Sequence, residues 1–312
     1  RILDQAILAL RLTSEHDALA RALVRRSVAY RLLGDYPRSL VDAEEALMLT
    51  SQNSSDQLVR AEAMRTKGIV HYQQGLLKDS LDWLTQSLEL YQRLNDGQNT
   101  SVLWLELGLV HTSLGEYPIA EMDYQKALEF WGGKGNPVWM SNLLNNLGVL
   151  QHVRGDYEKA AVTLEDAYQY ARLGGYPRLE AFALTGIGDL YRELEAPREA
   201  LSAYNQARPI AQRTGDGYLI FYLNLAEAVL ARQRGNLAES ARLLQMTRQI
   251  CGENGSPYEE SLLHLEWGWH KLAEGQPAEA LQHFKEGLSC FEQEGHRVEV
   301  SRTLLGLGVA SH

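Results

Sequence analysis

Apolar residues recur along this chain with the period of an α-helix. A clear case is the segment 101–114, whose apolar positions are Val102, Leu103, Leu105, Leu109, Val110 and Leu114. This spacing follows about 3.6 residues per turn rather than the strict alternation of a β-strand, so it predicts an amphipathic helix. Most prolines stand near the predicted starts of helices. Only Pro209 falls inside one, where we expect a bend.

The helical pattern repeats about every 40 residues. One column of the repeat is glycine with a single exception: Gly34, Gly75, Gly115, Gly155, Glu195, Gly235 and Gly275. A second column, seven residues earlier, contains only Gly, Ala or Ser: Ser27, Gly68, Gly108, Gly148, Gly188, Ala228, Gly268 and Gly308. A third, five residues after the turn, is equally small: Ser39, Ser80, Ala120, Ala160, Ala200, Ser240 and Ala280. Small side chains on both sides of a short turn let two helices pack closely, so each unit is predicted to be a helical hairpin.

This order of small residue, glycine turn and small residue resembles the tetratricopeptide repeat. An aromatic or leucine residue completes the pattern at Leu84, Tyr124, Leu164, Tyr204, Leu244 and Phe284. The resemblance implies an all-α fold, a right-handed superhelical solenoid of antiparallel helix pairs. The chain departs from the family in places: its first-helix tryptophan is kept only at Trp104, its tyrosine only at Tyr30 and Tyr191, and its terminal proline nowhere.

Six residues more than the usual 34 imply longer helices in each unit. This longer variant resembles the sensor domains of bacterial signal-transduction ATPases, such as the maltose-regulon activator and its large LuxR-type relatives. It is also similar to the repeats of the antibiotic-regulatory SARP proteins, of bacterial Rap-type regulators and of animal polarity adaptors.

We expect a single solenoid domain over residues 1–312. About seven repeats begin near residues 17, 57, 98, 137, 177, 217 and 257, between half repeats at 1–13 and 297–312. Solenoids usually end in polar capping helices, and neither end shows one, so the chain is expected to be an excerpt that works with other domains of the same chain. Apolar strips at the two ends, at Ile2, Leu3 and Ala6 and at Leu304, Leu305 and Val309, predict partly exposed faces and possible end-to-end self-association.

Composition and charge limit the classes of partner and the cellular setting that this chain fits. The net charge of −10 argues against nucleic-acid contact by this segment, because phosphate binding needs clustered Lys and Arg. No apolar run is long enough to span a membrane, and the first residues given do not show the charged-then-apolar pattern of a secretory signal. The two cysteines, Cys251 and Cys290, fit buried thiols better than a disulfide, which favours a reducing, cytoplasmic setting.

Catalytic motifs are missing from the sequence. It contains no phosphate-binding Gly-x-x-x-x-Gly-Lys-Ser/Thr loop, no His-Glu-x-x-His and no Cys-x-x-Cys pair. His71 and His111 occupy equivalent repeat positions, where an interfacial role is a better interpretation than a metal pair. We therefore expect no enzyme activity, no cofactor and no metal.

What remains is a binding surface. In this family the first helices line the concave side, which places candidate ligand-binding residues of the groove at Asn142, Asn145, His152, Phe182, Thr185, Asp189, Arg192, Tyr222 and Arg232. Secondary groove candidates are Arg65, Tyr72 and Trp269. Several of these residues have a plainer interpretation. Asp189 and Arg192 could pair along their own helix. Asn145 and His152 could be solvated groove residues, and Trp269 could pack against a following repeat rather than a ligand.

Two functions fit this surface. The first is a ligand- or partner-binding sensor domain of a bacterial signal-transduction ATPase that regulates transcription, with a small-molecule effector or a regulatory protein in the groove. The alternative is a general protein–protein interaction scaffold that holds a peptide or helix there, as in Rap-type regulators or polarity adaptors.

Overall fold

The computed structural model describes residues 2–13, 15–50, 56–251 and 256–312, and these residues form α-helices and turns without a strand. The helices are α1 (Ile2–Leu10), α2 (His16–Leu32), α3 (Tyr36–Leu49), α4 (Gln57–Gln73), α5 (Leu77–Arg93), α6 (Gly97–Ser113), α7 (Tyr117–Gly132), α8 (Pro137–Val153), α9 (Tyr157–Gly174), α10 (Pro177–Glu193), α11 (Pro197–Thr214), α12 (Gly217–Gln233), α13 (Leu237–Cys251), α14 (Pro257–Ala273), α15 (Pro277–Glu294) and α16 (Arg297–Ala310). The all-α prediction is confirmed.

The glycine column marks the turn inside each hairpin because the backbone there is left-handed. Gly34, for example, has φ 78° and Gly235 has φ 76°. Glycine adopts this conformation without the steric cost that a Cβ imposes. Glu195, the exception in the column, takes the same conformation with φ 55°. The predicted turn therefore forms there as well, despite the side chain.

The small columns are points of close helix contact, as predicted. A Cβ added at Gly188 would lie 2.3 Å from Cε1 of Tyr204, far inside contact distance. In the first hairpin the Oγ of Ser27 donates to the carbonyl oxygen of Ser39 at 2.7 Å, and both serines are fully buried. Small residues thus let the two helices of a repeat approach until side chain meets backbone.

Helix ends follow the local sequence. The side chain of Asn136 accepts hydrogen bonds from the first turn of α8. Ser256 and Glu259 form a reciprocal capping box at the start of α14. Pro209 lies inside α11, which continues across it as one helix although proline removes a backbone donor.

The described residues divide into two compact units, 1–110 and 111–312. Within the second unit, α8, α10, α12, α14 and α16 each contact the next member of that series. The second helices α9, α11, α13 and α15 each pack on their own first helix and on the first helix that follows, whereas successive second helices show no comparable contact in the described residues. Since the first helices are the closer set, they form the inner layer of this unit.

The second unit also makes a contact between distant parts of the chain. A Cβ added at Gly115, in the turn before α7, would lie 2.9 Å from Cδ of Arg297 at the start of α16. A Cβ added at Gly295 would lie 3.3 Å from Cδ2 of Leu114. The turn before α7 therefore lies directly against the turn before α16.

Three further expectations concern thiols, chain ends and membranes. Cys251 and Cys290 are both free thiols, and burial raises the pKa of Cys251 to about 12. Apolar side chains are exposed at both ends, including Ile2 and Leu305. None of the described helices combines the length and the apolar character that a membrane crossing requires.

Candidate binding groove

The predicted groove residues of the second unit lie on three adjoining first helices. We call this surface the inner face: the side of α8, α10 and α12 that carries Asn142, Asn145, His152, Phe182, Thr185, Asp189, Arg192, Tyr222 and Arg232. Asn145 and Thr185 are buried, and the other members are half-buried. Intermediate burial of polar groups on neighbouring helices is typical of a surface that a ligand completes.

Three asparagines form a short ladder on α8. Nδ2 of Asn146 donates to Oδ1 of Asn142 at 3.3 Å, and Nδ2 of Asn145 lies 3.5 Å from Oδ1 of Asn146. The Asn145 side chain points toward α10, because its Oδ1 lies 3.7 Å from where a Cβ on Gly186 would be. That Oδ1 is buried and has no hydrogen-bond partner. The ladder thus leaves one acceptor unsatisfied next to α10.

Asp189 and Arg192 pair along α10, which is the plainer of the two interpretations of their spacing. Nη1 of Arg192 lies 3.2 Å from Oδ1 of Asp189, and the hydroxyl of Tyr204 donates to that same oxygen at 2.7 Å. Burial alone would lower the pKa of Arg192, but Asp189, Tyr204 and further acidic groups outweigh burial and raise it. Arg192 is therefore a permanent cation, and its Nε is a buried donor without a hydrogen-bond partner.

His152 on α8 lies near this pair. Burial lowers its pKa from the ordinary value, although the charges of Asp189 and Glu193 oppose the shift. Its ring centroid lies 6.0 Å from that of Tyr157. Near neutral pH the imidazole is uncharged, so it offers one donor and one acceptor beside Arg192.

A buried glutamate that the sequence analysis did not select organises the next part of the surface. Glu266 on α14 is 4 % exposed and receives two arginines. Nη1 of Arg232 lies 3.0 Å from its Oε2, and Nη2 of Arg302 lies 2.5 Å from its Oε1. Burial alone would raise the pKa of Glu266, but Arg302 and Arg232 outweigh burial and lower it. The carboxylate is charged and fixes both guanidinium groups.

The first unit contains a buried glutamate with one arginine partner. Glu106 is also buried, and Arg65 binds it with two nitrogens at 2.6 to 3.0 Å. Both glutamates stand two residues before a glycine of the small column, at Gly108 and Gly268. Acidic residues at one repeat position in two copies are the sequence signal that would have revealed them. Arg65, a secondary groove candidate, is therefore committed to a structural ion pair.

Aromatic rings gather at the amino-terminal ends of α10 and α12. The ring centroid of Tyr218 lies 6.4 Å from that of Phe182 and 4.5 Å from that of Tyr222. The guanidinium of Arg178 stands over the Phe182 ring at 4.9 Å. Tyr218 was not among the sequence candidates because it belongs to the first turn of α12, outside the groove positions of the repeat.

The remaining candidates have local roles. Oγ1 of Thr185 donates back to the carbonyl of Ala181 at 2.8 Å. Trp269 packs edge-on against Phe284 of its own hairpin, with ring centroids 5.5 Å apart, whereas its plainer interpretation placed it against the following repeat. Tyr72 is half-buried in the first unit.

The two equivalent histidines, His71 in the first unit and His111 in the second, have different surroundings. Nδ1 of His111 lies 2.7 Å from Oδ2 of Asp123. Nδ1 of His71 is buried with no hydrogen-bond partner. Neither residue belongs to a cluster of potential metal ligands in the part of the chain that the structure describes.

The repeat pattern has a family match. The tetratricopeptide repeat family model matches residues 18–93, 59–132, 99–172 and 139–213, which together span more than half of the chain. No curated protein sequence matches the chain.

Several solved structures share the fold at low sequence identity. A Rap protein complexed with competence and sporulation factor has a TM-score of 0.69 and 13% identity, over 94% of this chain and 86% of that one. The Rap conjugation gene regulator of plasmid pLS20, in complex with the Phr* peptide, has a TM-score of 0.71 and 15% identity, over 91% and 75%. NprR in complex with its cognate peptide NprX has a TM-score of 0.69 and 14% identity, over 100% and 93%. At these identities the likeness concerns the fold.

Proposed function

Because this chain belongs to the tetratricopeptide repeat family, we propose that it is a binding scaffold whose inner face holds a short, extended peptide segment. The proposal does not assign it a catalytic role. The observation that carries it is a pair of unsatisfied buried atoms on adjoining helices, the acceptor Oδ1 of Asn145 and the donor Nε of Arg192. An unsatisfied buried polar group costs about 1–3 kcal/mol. A bound peptide offers both kinds of partner along its backbone, an N–H group for the acceptor on Asn145 and a carbonyl oxygen for the donor on Arg192.

The length of the inner face suits a short peptide. Phe182 and Arg192 are ten residues apart on α10, which corresponds to about 15 Å along a helix. An extended chain covers roughly 3.3–3.6 Å per residue. A peptide segment of about five residues would therefore reach from the aromatic rings near Phe182 to Arg192.

The two ends of the inner face differ in chemistry, which gives the peptide a direction. The aromatic end, formed by Phe182, Tyr218 and Tyr222, favours an apolar or aromatic side chain. At the other end Arg192, whose Nε has no hydrogen-bond partner, favours an anionic group such as a terminal carboxylate. We infer a peptide with an apolar residue toward its amino end and a carboxylate toward its carboxyl end.

The structural neighbours support a peptide over a small molecule, since two of the structures described above contain a bound peptide and the third contains competence and sporulation factor. The 40-residue repeat also supports a narrower proposal, a sensor module of a transcriptional regulator that works with other domains of its chain. The two free thiols are in keeping with a cytoplasmic protein.

Fluorescence anisotropy with a library of labelled five- to seven-residue peptides tests the proposal. We expect binders that combine an apolar residue with a carboxylate four or five positions later. Arg192→Ala and Asn145→Ala should each weaken them at least tenfold, about 1.4 kcal/mol. Arg213→Ala, an exposed arginine at the end of α11, is the matched control and should leave affinity unchanged. Thermal melts establish that each variant is folded.

Two outcomes would contradict the proposal. Peptides that bind equally well to the wild type and to both inner-face variants would place the site elsewhere. A small molecule that binds the inner face and competes with no peptide would favour effector sensing instead.

A further inference from the structure

Two histidines and a glutamate of the last full repeat point their ligand atoms at one another. His264 lies on α14, and His283 and Glu286 lie on α15. Nδ1 of His264 is 3.0 Å from Nδ1 of His283 and 3.0 Å from Oε2 of Glu286. Nδ1 of His283 is 4.0 Å from the same Oε2. The three atoms therefore surround a single point between the two helices.

A glycine makes this arrangement possible. Gly287 holds a position that is alanine, serine or threonine in the other repeats. A Cβ there would lie 3.0 Å from the carbonyl oxygen of Ser261 and 3.5 Å from Cβ of His264. Without a side chain, α15 approaches α14 closely at this level, directly beside Glu286. The spacing of His283 and Glu286, three residues apart, presents both from one face of α15.

We propose that His264, His283 and Glu286 form a binding site for one divalent transition-metal ion of the zinc class. Bonds of about 2.0–2.2 Å to nitrogen and carboxylate oxygen place neighbouring ligands of a tetrahedral ion about 3.4 Å apart. The three observed separations bracket that value. Two imidazoles and one carboxylate leave a fourth position open for water or for an incoming group. Imidazole nitrogen favours zinc, nickel, cobalt or copper over magnesium and calcium.

The alternative is a cluster held by hydrogen bonds alone. One proton on Nδ1 of His264 would then be shared between His283 and Glu286, each 3.0 Å away. A shared proton makes weaker bonds than two linear ones. A single metal cation instead accepts a lone pair from each of the three ligand atoms at once, so no proton has to be shared.

The surroundings contain charges of both signs. The carboxylate of Glu260 favours a cation near His264, whereas Arg248 and Lys271 oppose one. Burial disfavours the protonated form of both histidines and lowers the pKa of each. The indole of Trp267 stacks on His283, at 6.2 Å between centroids and an interplanar angle of 20°. That stacking fixes the ring orientation.

No sequence motif with a fixed spacing of ligands identifies this site. His264 and His283 are 19 residues apart in different helices, so the sequence predicted no metal. The site is independent of the inner face, because none of its residues belongs to that surface.

The test is calorimetric titration of the untagged protein with zinc chloride, repeated with cobalt chloride and followed by visible absorption. We expect one ion per chain and the intense d–d bands of a four-coordinate cobalt site. His264→Ala and His283→Ala should each weaken binding at least tenfold, since even residues that only orient metal ligands contribute 10- to 100-fold. Glu286→Gln should weaken it in the same direction. His16→Ala, an exposed histidine in α2, is the control and should bind as the wild type does.

Folding of each variant is checked by melting curves without metal. Imidazole nitrogen shifts in nuclear magnetic resonance spectra of the wild type give an independent measure, because only coordinated Nδ1 atoms respond to zinc. The proposal is overturned if the wild type binds no zinc at submillimolar concentration. It is equally overturned if the three variants retain wild-type affinity, or if the ion shifts other histidines.

Discussion

Replacing Glu266 with glutamine tests whether the buried ion-pair cluster stabilises the second unit. Glutamine keeps the shape of the side chain and removes its charge, leaving Arg232 and Arg302 without their carboxylate. The Arg232 side chain is 13% exposed, so its ion pair with Glu266 counts as buried. Removing one partner of a buried ion pair costs about 3–5 kcal/mol. The Arg302 side chain is 43% exposed, so losing its ion pair with Glu266 costs only about 0–1 kcal/mol. We expect a loss near the lower end of the buried range, about 3 kcal/mol.

That free energy becomes a measurable shift in melting temperature. For a unit of the size of residues 111–312, each kcal/mol shifts Tm by about 2–4 °C. Glu266→Gln should therefore lower Tm by about 6–12 °C in differential scanning calorimetry at pH 7. Glu292→Gln, which removes an exposed carboxylate from α15, is the matched control and should change Tm by little.

The pH dependence provides a sharper criterion. The pKa of Glu266 is lowered in the folded state from its ordinary value of 4.5. A carboxylate with a lowered pKa stabilises the fold above the unfolded-state pKa and loses that contribution as pH falls through the folded-state pKa. The Tm difference between wild type and variant should thus be full at pH 7 and shrink below about pH 4.5. A difference that is absent at pH 7, or that does not change on acidification, would refute this account of the cluster.

Two further predictions concern helix contacts and caps. Gly188→Ala should destabilise the protein by about 1–3 kcal/mol in urea unfolding, because its Cβ would meet the ring of Tyr204, whereas Gly132→Ala, with open space around it, should be close to neutral. Ser256→Ala should cost about 1 kcal/mol, because it removes the capping box of α14, and Gln276→Ala should cost little because the Gln276 side chain caps nothing. If Gly132→Ala or Gln276→Ala were as damaging as its counterpart, the contact or cap in question would not be the cause.

The fold could be predicted because its determinants are local and repeated. The turn column reflects the backbone conformation of the turn, and the small columns reflect close helix contact within one hairpin. Both columns recur along the chain. Even Glu195 could be assigned to the turn by register alone, and its positive φ agrees. A repeat without glycine at that position still follows the same period.

The candidate site could be predicted only in outline. Repeat positions placed polar residues on the inner face, but they could not show which side chains pair with each other. Glu266 binds arginines 34 and 36 residues away, in different repeats, so its partners depend on how neighbouring hairpins stack. Tyr218 lies outside the groove positions of the repeat. The ligand atoms of His264, His283 and Glu286 are brought together by packing between α14 and α15 rather than by sequence spacing.

The contact of Gly115 with Arg297 has a consequence for how the second unit folds. Solenoids usually assemble through neighbouring repeats, so that stability propagates along the chain as in a one-dimensional array. This contact joins residues about 180 positions apart, and it forms only when every hairpin between them is stacked. It raises the contact order and delays the final step of folding relative to the local hairpins. It also couples the two edges of the array, so that fraying at α16 releases the turn before α7.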